Sequence, residues 1–173
     1  LKKSVFINNI YILTDNESVS NIAIQNKVKT ITRPDAIKDP NLPLEKVLQY
    51  ALKSIEELGD FPEAIIYVNY LYPFRPERLI DDLILELQYE GLDSVFSSYI
   101  DFGNYWKEGL DGGYSQVDNA LMPRSEKHPM YRALYGVGCA TLTSIVRSGS
   151  LVGDNVGILP LDNLLYALRL DDE

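Results

Sequence analysis

The segment Ala64 to Leu83 constrains the fold more than any other part of this 173-residue chain. Its sequence, AIIYVNYLYPFRPERLIDDL, predicts a buried strand from Ala64 to Val68, a loop rich in tyrosine and proline, and a helix that begins near Pro76. A strand that leads through a short loop into a helix places the loop at the carboxyl edge of an open α/β sheet, where ligands bind. We therefore expect this loop to border a functional site.

Strand and helix patterns alternate on both sides of this segment. Apolar or alternating runs of strand length occur at residues 10–13, 28–31, 93–99, 135–143 and 156–159, and helical patterns occur at 17–23, 44–58, 76–89, 142–149 and 161–170. This alternation predicts one α/β domain over residues 1–173, with a mainly parallel mixed sheet and helices on both faces. Residues 101–128 are polar and rich in glycine, which favours hairpins and long loops.

The composition of the chain argues against several functional classes. The net charge is −9, whereas a nucleic-acid-binding protein needs a basic face. No run of 18 apolar residues is present, so no membrane span is predicted. The single Cys139 cannot form an internal disulfide, and without a signal-peptide pattern we expect a cytoplasmic protein. One cysteine and one histidine, His128, do not make a zinc site, so these residues predict no metal ligands.

Two arginines are the candidate ligand-binding residues. Arg33 and Arg75 each follow a predicted strand, and in a doubly wound sheet both would lie at the carboxyl edge. Guanidinium groups at that edge can bind phosphate or carboxylate through paired hydrogen bonds. The alternative is a structural role, in which each arginine completes a loop or pairs with Asp35 or Glu77. The spacing alone favours neither role.

An ordered set of short motifs runs along nearly the whole chain. The motifs are Ile12-Leu13-Thr14-Asp15-Asn16-Glu17, Arg33-Pro34 followed by Asp39, Val68 to Arg75, Ser94-Val95-Phe96-Ser97, and Asp162 to Ala167. In this order they resemble the S-T-D-[DS]-E, R-P-x-x-L-x-x-D, L-Q-P-T-S-P-L-R, S-V-F-S and D-L-x-x-A motifs of the acylneuraminate cytidylyltransferases, which are the CMP-sialic acid synthetases and their relatives. No single motif is specific, and the order carries the resemblance.

The resemblance implies a nucleotidyltransferase fold of the GT-A-like type. It implies transfer of CMP from CTP to a nine-carbon sugar acid such as sialic acid, giving a CMP-sugar and pyrophosphate, in a homodimer. It also implies nucleotide- or substrate-binding roles for Arg33, Asn69 and Arg75, with Asn69 in place of a glutamine that contacts substrate. In the same loop, Leu71 and Tyr72 stand where the family has threonine and serine, so two hydroxyls are replaced.

The family's metal site is also altered. In the family, Mg²⁺ clamps the phosphates and stabilises the charge that develops on them. The acidic pair that holds this ion matches Gly157 and Leu159 here, and neither residue offers the oxygen ligands that Mg²⁺ prefers. An active enzyme would therefore need other carboxylates, such as Asp154 or Asp162, and an inactive one would need no cofactor.

The family's first strand and its Gly-rich loop have no counterpart in residues 1–173. In the family that loop carries Arg and Lys side chains that hold the triphosphate. The strand would be central in the sheet, and unpaired backbone groups in a core are costly. We therefore expect an upstream segment of the natural polypeptide to fill that place, or the exposed strand edge to pair with another copy of the chain.

Two functions remain open at this point. The first is a cytidylyltransferase-type enzyme, which the ordered motifs favour. The second is a noncatalytic binding or scaffold module with the same fold, which Gly157 and Leu159 favour because they replace the acidic pair.

Overall fold

The computed structural model describes residues 1–117, 123 and 125–170. Its strands are β1 (Tyr11–Thr14), β2 (Lys29–Thr32), β3 (Ala64–Tyr67), β4 (Ser94–Asp101), β5 (Trp106–Glu108), β6 (Tyr114–Gln116), β7 (Met130–Ala133), β8 (Cys139–Leu142) and β9 (Val156–Leu161). Its helices are α1 (Glu17–Gln25), α2 (Leu44–Glu57), α3 (Leu79–Tyr89) and α4 (Thr143–Ser148), with short 3₁₀ turns at Asp35–Ile37 and Leu164–Ala167. None of the helices in this part of the chain is long and apolar enough to cross a membrane.

Local chemistry sets the ends of the helices. The Asn16 side chain caps α1, because its Oδ1 accepts hydrogen bonds from the backbone nitrogens of Ser18 at 2.9 Å and Val19 at 3.2 Å. Helix α3 begins at Leu79, three residues later than the proline signal predicts. It ends before Gly91, whose φ of 62° is a left-handed conformation that suits glycine.

The larger sheet is mostly antiparallel, which corrects the prediction of a mainly parallel sheet. Its strand order is β3–β8–β4–β7, and β9 pairs with β4. The pairings β3–β8, β4–β8 and β4–β7 are antiparallel, and the pairing β4–β9 is parallel. A parallel return from β4 would need a crossover of a dozen or more residues, usually a helix. The described part of residues 102–138 carries the β5–β6 hairpin and β7 but no helix, so the chain returns in the antiparallel direction.

The carboxyl ends of several strands still meet at one edge. Two successive antiparallel pairings relate β3 to β4, so β3, β4 and β9 share one direction. Strands β1 and β2 form a separate parallel pair. Asp60, which precedes β3, accepts hydrogen bonds from Asn9 at 2.6 Å and Tyr11 at 2.7 Å at the start of β1. The residues around the starts of β1 and β3 therefore lie together.

Helices cover both faces of the larger sheet. On one face, α3 packs against alternate residues of the strands, in a cluster built around Leu79, Leu83, Val95 and Ala140. On the other face, α2 contributes Leu48 and Leu52 to a second cluster with Phe96, Cys139 and Val146. The two clusters take opposite sides of β3, with Ala64 and Ile66 in the first and Ile65 and Tyr67 in the second. The predicted helical cover on both faces is present.

Two further predictions about elements differ from the structure. The helix expected over residues 161–170 is a 3₁₀ turn of four residues, and Leu161 belongs to β9 instead. The strand expected over residues 135–143 begins at Cys139, because Leu134 to Gly138 form a turn. The loops expected over residues 101–128 contain the β5–β6 hairpin, and residues 118–122 and 124 lie outside the described part.

Candidate functional site

The three predicted site residues line one cavity. This cavity, of about 2040 Å³, lies between β1 and β3, and its lining includes Arg33, Asn69 and Arg75. Thr14 at the carboxyl end of β1 also lines it. The lining thus includes side chains that follow β1, β2 and β3.

Arg33 keeps most of its guanidinium group free. Its Nε donates a hydrogen bond to the backbone oxygen of Ile37 at 2.8 Å, which fixes the side chain against the 3₁₀ turn. Its two terminal nitrogens make no hydrogen bond within the described residues. A half-buried, anchored arginine with both terminal nitrogens free can bind an anion through two parallel hydrogen bonds.

A small ionic cluster lies beside Arg33. Lys38 contacts Asp35 at 2.8 Å and Asp15 at 3.1 Å. The hydrogen bond from Lys38, followed by a backbone hydrogen bond and the charges of Lys38 and Arg33, lowers the pKa of Asp15. Asp15 therefore stays ionised and attracts Arg33, so an incoming anion must compete with it.

Arg75 is more firmly committed to the fold than Arg33. Its Nε donates to the backbone oxygen of Val137 at 2.7 Å, and its Nη2 donates to those of Asn69 at 2.5 Å and Gly136 at 3.1 Å. Burial lowers the pKa of this half-buried guanidinium. Arg75 thus joins the loop after β3 to the turn before β8, and its Nη1 is the nitrogen that these bonds leave for a ligand.

The side chain of Asn69 stabilises its own loop. Its Oδ1 accepts a hydrogen bond from the backbone nitrogen of Leu71 at 2.9 Å, which is the geometry of an Asx turn. Its Nδ2 donates to the Tyr67 hydroxyl at 3.2 Å. Burial raises the pKa of Tyr67, so this phenol stays neutral. The Asn69 amide is therefore occupied by neighbouring groups.

The turn at Gly136 supports the loop that carries Asn69 and Arg75, and the sequence patterns did not predict this contact. A Cβ atom at Gly136 would lie 2.6 Å from Cε2 of Tyr72 and 3.1 Å from Cβ of Asn69, so this close approach requires glycine. The backbone nitrogen of Asn69 donates to the Gly136 oxygen at 2.8 Å. The signal in the sequence is the Gly136-x-Gly138 pair, but its spacing alone does not identify the loop that it contacts.

Gly157 and Leu159, which the resemblance matches to an acidic pair, do not fit a magnesium ion. A Cβ at Gly157 would lie 2.6 Å from Cδ1 of Leu92, so this position is tightly packed. Leu159 packs against the α3-side core cluster. Asp154 and Asp162, the alternative ligands, are both exposed. Among the described residues, no three His, Cys, Asp or Glu side chains come together in a group that could hold a metal.

Comparison with solved structures identifies the fold. No protein-family model and no curated protein sequence matches the chain. One similar structure is the CMP:2-keto-3-deoxy-manno-octonic acid synthetase complexed with CTP, with a TM-score of 0.62 and 10% identity over 92% of this chain and 75% of that one. Another is the 4-diphosphocytidyl-2C-methyl-D-erythritol synthase from Anaerococcus prevotii DSM 20548, with a TM-score of 0.64 and 12% identity over 92% of this chain and 72% of that one. The chain therefore has the α/β fold that these two synthetases share.

Proposed function

We propose that this chain is a nucleotidyltransferase-type domain that binds a cytidine nucleotide at the carboxyl edge of its strands. The observation that supports this most is that Arg33, Asn69 and Arg75 line one cavity in a fold shared with a synthetase solved with CTP. The ordered motifs extend the proposal to CTP and a nine-carbon sugar acid as substrates. The products would then be a CMP-sugar and pyrophosphate.

Within this proposal, Arg33 is the main phosphate-binding residue. Both of its terminal nitrogens are free in the described part of the chain, whereas three backbone oxygens already engage Nε and Nη2 of Arg75. Charge-assisted hydrogen bonds to an anion contribute about 1.5–3 kcal/mol. Replacing Arg33 should therefore weaken nucleotide binding at least about tenfold, since each 1.4 kcal/mol changes a dissociation constant tenfold.

Calorimetric titration with CTP tests this proposal. We expect a dissociation constant on the order of micromolar for the unaltered chain and at least about tenfold weaker binding for Arg33→Gln. Arg78→Ala is the matched control, because Arg78 is an exposed arginine at the start of α3. Absence of CTP binding at millimolar concentration, with ATP as the comparison nucleotide, would contradict the proposal.

The second candidate is a noncatalytic binding or scaffold module. Gly157 and Leu159 favour it, because they occupy the family's metal position without a carboxylate. An assay of pyrophosphate release from CTP, with Mg²⁺ and a series of nine-carbon sugar acids, distinguishes the enzyme from the noncatalytic module. Turnover with any of these acids supports the enzyme. CTP binding that does not depend on Mg²⁺, together with no turnover, supports the module.

We propose that the protein forms a homodimer, in which the β5–β6 hairpin makes contacts between the two copies. Trp106 and Tyr114 lie on this hairpin with 60% and 71% of their surfaces exposed, and Leu110 at its tip is fully exposed. The pairing of Trp106 with Gln116 and of Glu108 with Tyr114 places the two aromatic side chains on the same face of the hairpin. Clustered exposed apolar side chains of this kind mark interaction surfaces.

A further inference from the structure

The tip of the β5–β6 hairpin carries an Asp-Gly pair, the only one in the sequence. The pair is Asp111 and Gly112, in a loop that the Gly109 nitrogen closes by donating to the Gly113 oxygen at 2.7 Å. All residues of the hairpin from Trp106 to Val117 are exposed. In the described residues, β5 and β6 pair only with each other, and an isolated two-stranded hairpin is marginally stable. This tip therefore opens more readily than the strands of the larger sheet.

Glycines on both sides allow the Asp111 carboxyl group to lie close to the backbone. Its Oδ1 accepts a hydrogen bond from the backbone nitrogen of Gly113 at 3.2 Å. A Cβ at Gly109 would lie 2.7 Å from that oxygen, so a side chain there would displace the carboxyl group. A Cβ at Gly112 would meet no atom within 4 Å, so no neighbouring group packs over this residue. The carboxyl group therefore bends back over the turn, beside a backbone amide with which it can react.

The reaction that this arrangement favours is ring closure between the side chain and the main chain. The backbone nitrogen of Gly112 attacks Cγ of Asp111 and loses its proton, while the protonated carboxyl group loses its hydroxyl. One water molecule leaves and a five-membered succinimide forms, and glycine has no side chain to hinder the attack. Water then adds to the ring, and addition at the main-chain carbonyl breaks its bond to the Gly112 nitrogen. The chain then continues through the side-chain carbonyl, which is isoaspartate, and no other reactant is needed.

We propose that Asp111 is a site of spontaneous isomerisation to isoaspartate and that this modification loosens the β5–β6 hairpin. Isoaspartate adds one methylene group to the backbone between Asp111 and Gly112. The register of the hairpin, which pairs Trp106 with Gln116, is fixed by the length and geometry of this loop. A longer backbone path through the tip therefore weakens the pairing of β5 with β6. The cavity that contains Arg33 takes no part in the reaction, so the modification is independent of nucleotide binding.

Asp93 is a matched control within the same chain. It is also followed by a small residue, Ser94, but its Oδ2 accepts a hydrogen bond from the Asn155 nitrogen at 3.0 Å. Ser94 is 0% exposed and belongs to β4. Ring closure at Asp93 requires this buried strand to open, whereas Asp111 requires only movement of an exposed tip. The fold should therefore protect Asp93 and leave Asp111 reactive.

Ageing of the full chain tests the proposal. The protein is kept at neutral pH and physiological temperature, either folded or in urea, and isoaspartate at each position is measured by peptide mapping with an isoaspartate-specific methyltransferase. Asp111→Glu is the variant control, because it keeps the charge but would have to close a six-membered ring, which forms far more slowly. Hydrogen exchange of the β5 and β6 amides is then compared between fresh and aged protein, and the amides of β4 serve as the internal reference.

We expect isoaspartate to accumulate at Asp111 in the folded chain. The ratio of the Asp111 rate to the Asp93 rate should be at least about tenfold larger in the folded chain than in urea, where only the local sequence distinguishes the two positions. After ageing, the amides of β5 and β6 should exchange faster in the unaltered chain and not in Asp111→Glu. No isoaspartate at Asp111, or a rate ratio no larger than in urea, would overturn the proposal. Hairpin exchange that ageing leaves unchanged, or a folded-chain signal that persists in Asp111→Glu, would also overturn it.

Discussion

At the scale of single residues, the position of Arg75 could be predicted but its hydrogen bonds could not. The sequence placed Arg75 after a strand at the carboxyl edge, and it lines the cavity there. Its bonds to Gly136 and Val137 depend on a turn that lies 61 and 62 residues away in the sequence. Patterns within single segments do not show contacts between residues that are so far apart in the sequence. The spacing therefore could not decide between a ligand-binding role and a structural role for Arg75.

Arg75→Ala should therefore reduce the stability of the protein. It removes a charged donor from three backbone oxygens, and we expect the free energy of unfolding to fall by about 2–3 kcal/mol. Chemical denaturation monitored by circular dichroism measures this change. The control Arg78→Ala alters an exposed arginine that makes no capping hydrogen bond, and it should change stability by less than about 0.5 kcal/mol. An equal, small effect for both variants would show that the three bonds contribute little.

Cys139 should be chemically inert in the folded protein. It is 0% exposed, and burial raises the pKa of its thiol from 9.0 to about 12. At pH 8 only about one thiol in ten thousand is then the reactive thiolate. We expect no reaction with a disulfide reagent in the native state and one thiol per chain in denaturant. Because the pKa is raised, the associated stabilisation is present below pH 9.0 and is lost as the pH rises through the folded-state value. Rapid labelling without denaturant would contradict this burial.

At the scale of elements, strong periodic segments were predictable and contacts between loops were not. The predicted helix over residues 44–58 is α2, because its apolar spacing alone determines the buried face. The strand predicted from Tyr135 starts at Cys139, because Leu134 to Gly138 turn to meet the loop after β3. That meeting is a tertiary contact, and no periodicity within residues 135–143 signals it.

Gly136→Ala tests this contact between the two loops. The added Cβ would lie 2.6 and 2.8 Å from ring atoms of Tyr72, so one side must move. We expect a loss of about 1–3 kcal/mol in the free energy of unfolding, the usual cost of overpacking. Combining it with Tyr72→Ala removes the clashing ring, so the double variant should lose less than the sum of the single variants. Additive losses in a double-mutant cycle would show that the ring is not the obstacle.

At the scale of the whole molecule, helices on both faces were predictable, and the direction of the strands was not. Alternating strand and helix patterns predict parallel connections, which fits β1 and β2 with α1 between them. The larger sheet departs from this because the β5–β6 hairpin and β7 replace a crossover helix within the described part of residues 102–138. The glycine-rich, polar sequence of that stretch predicts hairpins. It does not show that β8 runs antiparallel to β4.

The exposed hairpin leads to a prediction about assembly. If Trp106 and Tyr114 contact a second copy, the chain should sediment as a dimer at micromolar concentration. Trp106 is the only tryptophan in the sequence, and dilution should shift its fluorescence emission to longer wavelength. Trp106→Lys places a charge in this contact and should give a monomer that still unfolds cooperatively, because within one copy the side chain is 60% exposed. Tyr89→Lys is the matched control, since Tyr89 is 81% exposed at the end of α3, and it should leave the dimer intact. A dimer that persists in Trp106→Lys would place the interface elsewhere, and a monomer for the unaltered chain at these concentrations would contradict the homodimer.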